Sequence, residues 1–229
     1  MADGLQTALW SAILISGLLI CVGLRKAGLA TTYVRDLLHV GAGAWVFGWP
    51  FWHSAIAPVC ITAAATFFLL IIPTLARRVT LFARLEQAVS GGGERWSGLV
   101  LYAISFALMT WLSWRSSQFP AAAALLALAL GDGIGGAVGR RCGRHFFTAP
   151  GGKRKSIEGS AAVAIAAAVG AWLGAAYFGV AASIWLLIGI GLVACAAEGW
   201  APRASDNILI PAAVWLFVTI SSYFAFLAL

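Results

Sequence analysis

Residues 119–159 have the sequence FPAAAALLALALGDGIGGAVGRRCGRHFFTAPGGKRKSIEG, which determines the kind of fold that this chain adopts. The stretch begins as an apolar run, which is typical of a membrane-spanning helix, and becomes polar at Gly131. From Gly131 to Gly159 it contains nine glycines, six Lys or Arg residues, one Asp and one Glu. A membrane span has no structural use for such a segment, because charge is costly in lipid. The segment is therefore a candidate site for binding phosphate groups.

The composition of the whole chain is that of a membrane protein. Of its 229 residues, 62% are hydrophobic and 10% are charged, whereas soluble domains contain about 25% charged residues. Membrane helices of about 20 residues each use nearly all of the chain. We therefore predict an all-α, polytopic transmembrane helix bundle that forms a single integral membrane domain over residues 1–229. The four scattered cysteines predict neither a disulfide framework nor a zinc site.

The apolar runs predict about eight membrane segments, with seven as the lower count. Two of the segments that connect them are long and basic, at about 77–95 and 139–158. We expect both to be cytoplasmic loops. The predicted membrane segments are 5–24, 36–51, 55–76, 96–114, 119–138, 159–180, 183–200 and 208–227.

The basic residues give the orientation. With these segments, all 15 Lys and Arg residues except Arg115 fall on one side of the membrane. The positive-inside rule makes that side cytoplasmic and puts both termini on the other side. Loops near anionic lipid account for the net charge of +7, and no separate basic domain suggests a nucleic-acid partner. Trp45, Trp49 and Trp52, which end the second segment, are predicted to anchor it at the outer interface.

Five acidic residues fall at the cytoplasmic ends of the segments. A carboxylate at a membrane boundary is costly unless it is paired, so each of them is a candidate functional residue. Carboxylate oxygens bind Mg²⁺, and Lys or Arg bind phosphate oxygens, so the combination suits a Mg²⁺–nucleotide site. Asp206 has a second interpretation as the N-cap of the last helix, and the two roles are compatible. The five residues are Asp36, Asp132, Glu158, Glu198 and Asp206.

Two motifs in the glycine-rich segment resemble known nucleotide-binding fingerprints only by letter. Gly131-x-Gly133-x-x-Gly136 follows a membrane helix and not a strand, so it does not indicate a dinucleotide-binding fold. The run APGGKRKS lacks the glycine spacing of a P-loop. The glycines serve either close helix packing or close approach of phosphates. His39 follows Arg35 by four residues on one helix face, where it is either structural or binds a phosphate or substrate hydroxyl.

Taken together, these residues resemble the CTP-dependent polyprenol kinases, the family of dolichol kinase and phytol/farnesol kinase, which is related to the phosphatidate cytidylyltransferases. The family has Lys where this chain has Asp36, and the C-terminal signature of the cytidylyltransferases is absent, which favours a kinase. The resemblance covers roughly residues 30–215. It rests on Arg35-Asp36-Leu37-Leu38-His39, on Gly131-Asp132 through Gly139, on Lys155-Ser156-Ile157-Glu158-Gly159, on Glu198 and on Asp206-Asn207.

The resemblance implies a Mg²⁺-dependent enzyme that transfers the γ-phosphoryl group of CTP to the hydroxyl of a membrane isoprenoid alcohol. The alcohol would enter from the bilayer between the helices. The implied catalytic residues are Asp132, Glu158, Arg35 and His39. The implied Mg²⁺ ligands are Asp132, Glu158, Glu198, Asp206 and Asn207. The implied nucleotide-binding residues are Gly131, Gly139, Arg140, Arg141, Lys153, Arg154, Lys155, Ser156 and Gly159.

Two alternatives stay open at this point. A lipid cytidylyltransferase or a CTP-dependent diacylglycerol kinase would use the same nucleotide site on a different acceptor. A transporter without catalytic activity would be expected to carry charge in the middle of its spans, whereas these charges lie at the ends. The sequence does not specify the prenol chain length, the catalytic base or the oligomeric state.

Overall fold

The computed structural model describes residues 2–89, 94–115 and 117–227, and these residues are almost entirely helical. A 3₁₀ segment, Gly43–Phe51, follows the second helix, and a π-helical turn, Ala127–Asp132, joins the sixth helix to the seventh. Strands β1 (Phe146–Thr148) and β2 (Arg154–Ser156) pair as an antiparallel hairpin. The helices are α1 (Ala2–Lys26), α2 (Thr31–Ala42), α3 (Ile56–Ala76), α4 (Thr80–Val89), α5 (Glu94–Ser113), α6 (Gln118–Leu126), α7 (Gly133–Cys142), α8 (Ile157–Tyr177), α9 (Ile184–Trp200) and α10 (Asp206–Leu227).

The helices confirm the predicted polytopic transmembrane bundle. Six helical spans in the described part of the chain are long and apolar enough to cross a membrane, with α6 and α7 forming one of them, and α9 is a shorter apolar helix. The predicted segment 36–51 has a different construction. It is α2 followed by the 3₁₀ segment, which contains Pro50 near its end.

The continuous span of α6, the π turn and α7 lies at the centre of the bundle. Residues 121–129 are almost completely buried, and helices α5, α8 and α10 pack around them. Small residues let the neighbouring backbones come close. A Cβ atom added to Gly170 of α8, for example, would lie 2.7 Å from the carbonyl oxygen of Leu126. Close packing around alanines and glycines therefore fixes the position at which the central span becomes polar.

The predicted basic loops meet at one end of the bundle. Gly151 N–H donates to the Gly199 carbonyl at 2.9 Å, which joins the hairpin to the end of α9. At the other end, Asp3 bonds His53 and Tyr177 bonds the Phe47 carbonyl. These contacts confirm which loops share an end, while the cytoplasmic identity of the basic end stays a prediction. Further contacts at the basic end join Thr31 to Gln87, Arg140 to Asp36, and Lys153 to Asp206.

The prediction that three tryptophans anchor the second segment at the membrane interface is wrong. Trp45, Trp49 and Trp52 are all buried in the core of the bundle. The indole N–H of Trp45 donates to the Thr110 hydroxyl at 2.9 Å inside the protein. The tryptophans fill space beside the small side chains of α6, so their bulk serves helix packing.

Candidate active site

A polar cavity of about 250 Å³ opens at the basic end of the bundle. Its walls come from α2, α5, the π turn, the hairpin and the loop that leads into α10. It brings together six of the predicted site residues, namely Arg35, His39, Asp132, Lys153, Asp206 and Asn207. The other lining residues are Gly98, Leu99, Arg203 and Ala204.

His39 is the buried centre of this cavity and is only 4% exposed. Its Nε2 atom lies 3.2 Å from Oδ1 of Asn207 and 3.7 Å from Oδ2 of Asp132, and its Nδ1 atom lies 3.2 Å from the Arg35 carbonyl. Both ring nitrogens therefore face oxygen acceptors. His39 therefore links Asn207 at the start of α10 to Asp132 in the π turn.

Two polar residues of α5 donate hydrogen bonds to the backbone carbonyls of His39 and Asn207. The Tyr102 hydroxyl donates to the His39 backbone carbonyl at 2.7 Å, and the two rings stack with centroids 4.1 Å apart. The Ser105 hydroxyl donates to the Asn207 carbonyl at 2.6 Å. Tyr102 and Ser105 are three residues apart, so they lie on one helix face. The same helix thereby positions the two residues that flank Asp132.

Asp132 reaches the cavity because the π turn ends there. Gly131 and Gly135, on either side of it, fit against α8, where an added Cβ would contact Ala167 or Val163. Gly133 fits against Val40 of α2 in the same way. The glycines therefore let α7 approach two helices at once, which leaves the Asp132 side chain in the gap between them.

The carboxylate of Asp206 is already paired. Lys153 donates from Nζ to Oδ2 at 2.5 Å, and the backbone N–H of Asn207 donates to Oδ1 at 3.1 Å. Asp206 is the first residue of α10, so it also satisfies an amide of the first helical turn. Asp206 therefore bonds the start of α10 and also lines the cavity, and its role as a metal ligand stays a prediction.

A second Lys–carboxylate pair lies beside the first. Lys155 bonds Oε1 of Glu198, while Oε2 of Glu198 is buried and has no hydrogen-bond partner among the described residues. Glu198 is close enough to Asp132 and Asp206 to interact with both electrostatically. The buried oxygen of Glu198 and these two carboxylates therefore concentrate negative charge at the inner side of the hairpin.

The hairpin explains why the three neighbouring basic residues have different surroundings. Lys153 directly precedes β2, and Lys155 is the second residue of that strand. Successive side chains of an extended chain point to opposite faces, so both lysines turn toward the bundle, where each pairs with a carboxylate. Arg154 lies between them and turns outward, where its guanidinium stacks 4.5 Å from the centre of the Phe146 ring. The turn of the hairpin needs Gly152, whose φ is 79°. Arg154 was predicted to bind nucleotide, but the structure does not bring it to the cavity.

Glu158 also lies outside the cavity. Its carboxylate accepts hydrogen bonds from the backbone N–H groups of Arg144 and His145, at 3.0 and 3.3 Å, and from the His145 ring at 2.6 Å. Ser156, predicted to bind nucleotide, is the N-cap of α8 and accepts from the Gly159 N–H at 3.1 Å. These bonds attach the loop after α7 to the start of α8. The structure thus gives Glu158 and Ser156 local partners that account for them without a ligand.

The remaining predicted residues do not line the cavity. Arg140 pairs with Asp36, the residue that replaces the family's Lys, and Arg141 is exposed. Gly139 and Gly159 form the contact between α7 and α8, where an added Cβ on Gly159 would lie 2.9 Å from the Gly139 Cα atom. Helix packing is therefore confirmed for Gly139 and Gly159.

Sequence reasoning missed three residues of the site. Arg203 lines the cavity, and its φ of 48° is in the left-handed region that non-glycine residues rarely adopt. Its position between Glu198 and Asp206 in the sequence is a usable signal of function in addition to its value for topology. Tyr102 and Ser105 are polar side chains within a membrane span, which was itself a signal of function.

The donor set of the cavity fits a magnesium ion. No three His, Cys, Asp or Glu side chains in the described ranges are arranged as a protein-only metal cage. Mg²⁺ in phosphoryl-transfer sites does not need one, because it commonly takes one or two carboxylates and keeps water and substrate phosphates as its other ligands. Asp132 and Asp206, with the amide oxygen of Asn207, provide oxygen donors of that kind.

The sequence is similar to that of a protein of known function. It is 30% identical over 198 residues to a phytol kinase of Synechocystis sp., and the match covers 82% of this chain and 79% of that protein. No family model matches the sequence. No solved structure matches it significantly. The identity, the length of the match and the helical membrane architecture all support the same assignment. The chain belongs to the polyprenol kinase family that includes phytol kinase.

Proposed function

We propose that this chain is a Mg²⁺-dependent kinase that transfers the γ-phosphoryl group of CTP to the hydroxyl of a membrane isoprenoid alcohol, phytol or a related prenol. The observation that carries the proposal is the polar cavity, in which three cationic residues and two carboxylates surround His39. The relative from Synechocystis, which is a phytol kinase, supports the reaction and the acceptor class. The family resemblance supports CTP as the donor.

The cationic residues suit the nucleotide. Lys153, Arg35 and Arg203 line the cavity, and Lys and Arg are the usual partners of phosphate oxygens. In the proposed reaction, Lys153 exchanges the Asp206 carboxylate for a phosphate of CTP. That exchange frees Asp206 to act as a metal ligand. One movement of Lys153 therefore provides both a phosphate contact and a carboxylate for the metal.

The carboxylates suit the metal. We assign Mg²⁺ to Asp132 and Asp206, with Asn207 and the unpartnered oxygen of Glu198 as neighbouring donors. When bound, Mg²⁺ neutralises negative charge on the phosphates during transfer. Glu158, which the family resemblance includes as a ligand, has its carboxylate bonded to the loop after α7, so we do not assign it to the metal.

The acceptor hydroxyl would lie near His39 and Arg35. The hydroxyl oxygen attacks the γ-phosphorus of CTP, the bond to the β-phosphate oxygen breaks, and CDP leaves. The hydroxyl proton passes to a carboxylate of the cavity. Phosphoryl transfer needs mainly positioning and charge stabilisation, both of which this set of side chains can provide. We place the reaction at the cytoplasmic face, which the positive-inside rule supports and where CTP is available.

The deciding experiment uses detergent-purified full-length protein. It is incubated with Mg²⁺, with CTP or ATP labelled in the γ-phosphate, and with farnesol, phytol or a dolichol-length polyprenol. We expect labelled prenyl phosphate and CDP, and no labelled product with Mg²⁺ removed by chelator. Release of pyrophosphate with a CMP-linked lipid would indicate a cytidylyltransferase instead. Absence of any metal-dependent product would contradict the proposal.

A further inference from the structure

A second cavity lies next to the polar one and is almost purely apolar. Its volume is about 140 Å³, and helices α1, α2, α3 and α5 surround it. Leu99 of α5 lines both cavities. Between them stands the stacked pair of His39 and Tyr102. The lining residues are Leu14, Leu18, Leu38, Ala42, Trp45, Thr62, Ala65, Phe68, Leu69, Leu99, Tyr102, Ala103 and Phe106.

The lining residues of each helix lie on one face of that helix. On α5 the positions 99, 102, 103 and 106 recur at intervals of three and four, and so do positions 38, 42 and 45 on the segment that begins with α2. This is the spacing of a single helix face. Seven residues of helix span about 10 Å, so the pocket extends by that depth from the polar end toward the middle of the bundle.

The few polar atoms around the pocket already have partners. The Tyr102 hydroxyl donates to the His39 carbonyl, the Trp45 indole N–H donates to Thr110, and the Thr62 hydroxyl donates to the Pro58 carbonyl within its own helix. A polar guest would find no hydrogen bond to make. The pocket therefore suits a hydrocarbon.

We propose that this apolar pocket binds the part of the isoprenoid tail next to the reacting hydroxyl. The inference rests on the proposed function, because the substrate must place its hydroxyl at His39 and Asp132 while its tail stays in an apolar environment. Leu99, which is shared by both cavities, lies where the alcohol would pass from one to the other. An apolar cavity of about 150 Å³ is known to accommodate a benzene ring, so this pocket has room for about one isoprene unit.

The rest of the tail would leave the bundle on the side of α1 and α3. These are its peripheral helices, and only 11% of each membrane-spanning window is buried. The pocket would then select for the branched unit beside the hydroxyl and tolerate tails of different length. A straight-chain alcohol lacks the methyl branch, so it would fill the pocket less completely.

Two adjacent alanines of α3 provide a matched test. Ala65 lines the pocket, whereas Ala64 is exposed on the outer surface of the helix. We expect Ala65→Phe to raise the KM for the prenol at least about 10-fold, because it fills the space the tail needs, and to leave the KM for CTP unchanged. Ala64→Phe should behave as wild type. The increase should be equal for farnesol and phytol, which share the unit beside the hydroxyl.

A second measurement needs neither a variant nor turnover. A prenol with a photoreactive diazirine on the isoprene unit next to its hydroxyl is crosslinked to the wild-type protein, and labelled peptides are mapped. We expect label on α3 and α5 at pocket residues, with competition by phytol and less by a straight-chain fatty alcohol of equal length. Label only on lipid-facing positions such as Ile104, or equal competition by both alcohols, would overturn the proposal.

The kinetic outcomes are equally decisive. A folded Ala65→Phe protein with the prenol KM of Ala64→Phe would overturn the pocket assignment while the kinase assignment stands. An effect confined to long alcohols would also overturn it, because the pocket would then hold the far end of the tail. If wild type phosphorylates no prenol, the proposed function fails, and crosslinking still decides whether the pocket binds an isoprenoid.

Discussion

Replacing Lys153 by glutamine should weaken CTP binding specifically. The Lys153 ammonium lies 2.5 Å from the Asp206 carboxylate at the edge of the polar cavity, with the lysine side chain 26% exposed. In the proposed reaction it contacts a phosphate of CTP, and a hydrogen bond to a charged group contributes about 1.5–3 kcal/mol. We therefore expect the KM for CTP to rise by about 10- to 150-fold. The KM for the prenol should stay near its wild-type value, because Lys153 does not line the apolar pocket.

The protein should still fold. Asp206 keeps two hydrogen bonds from the Asn207 amide groups after Lys153 is replaced. Because the Asp206 side chain is only 12% exposed, loss of its lysine partner costs more than loss of a surface ion pair, about 1–3 kcal/mol. Lys26→Gln is the matched control, since Lys26 is at the same end of the bundle but outside the polar cavity. Initial rates are measured against CTP and against phytol for both variants. Equal increases in both KM values, or no increase for CTP, would refute the phosphate role of Lys153.

Three further substitutions test the rest of the site. Asp132→Asn keeps the size of the side chain but removes its charge, so turnover should fall at least about 100-fold while thermal stability stays near wild type. Retained turnover would rule out the metal role of Asp132. Tyr102→Phe removes the hydrogen bond to the His39 carbonyl, so the free energy of unfolding should fall by about 1 kcal/mol and kcat should also fall. An unchanged kcat would argue that α5 does not position His39. Gly135→Ala adds a Cβ atom that clashes with the Val163 side chain where α7 crosses α8, so the free energy of unfolding should fall by about 1–3 kcal/mol. A stable variant with full activity would contradict the packing role of this glycine.

The sequence predicted the architecture well because its signals are local. A membrane span is recognisable from its own composition, and the basic residues of each loop indicate its side independently of the rest. Asp132 and Asp206, two of the predicted site residues that line the polar cavity, were recognisable for a related reason. Charge at the end of an apolar span is costly enough to be conspicuous without knowledge of its partners.

What the sequence could not predict depends on the direction of side chains. Trp45 faces the protein core and Trp111 is exposed, yet both are apolar residues in apolar segments. Lipid is as apolar as a protein interior, so hydropathy does not separate a lipid-facing side chain from a packed one. The roles of Glu158 and Arg154 depend on a hairpin of two three-residue strands. Strands of three residues are too short to show a recognisable alternation of polar and apolar residues.

The hairpin itself connects the cationic and the acidic residues of the proposed site. Lys153 and Lys155 lie on its inner face and pair with carboxylates from two different helices, Asp206 of α10 and Glu198 of α9. An unpaired carboxylate at this depth would be costly, so the two ion pairs stabilise the arrangement of charges beside the cavity. CTP and Mg²⁺ would replace each pair with a lysine–phosphate contact and a carboxylate–metal contact. Each lysine and each carboxylate would then exchange one favourable charge contact for another. The contacts with CTP and Mg²⁺ would therefore offset the energy needed to separate the two ion pairs.

A lysine without its carboxylate would attract phosphate without metal, and a carboxylate without its lysine would repel the nucleotide before Mg²⁺ arrives. The alternation of one short strand therefore couples the nucleotide side of the proposed site to the metal side.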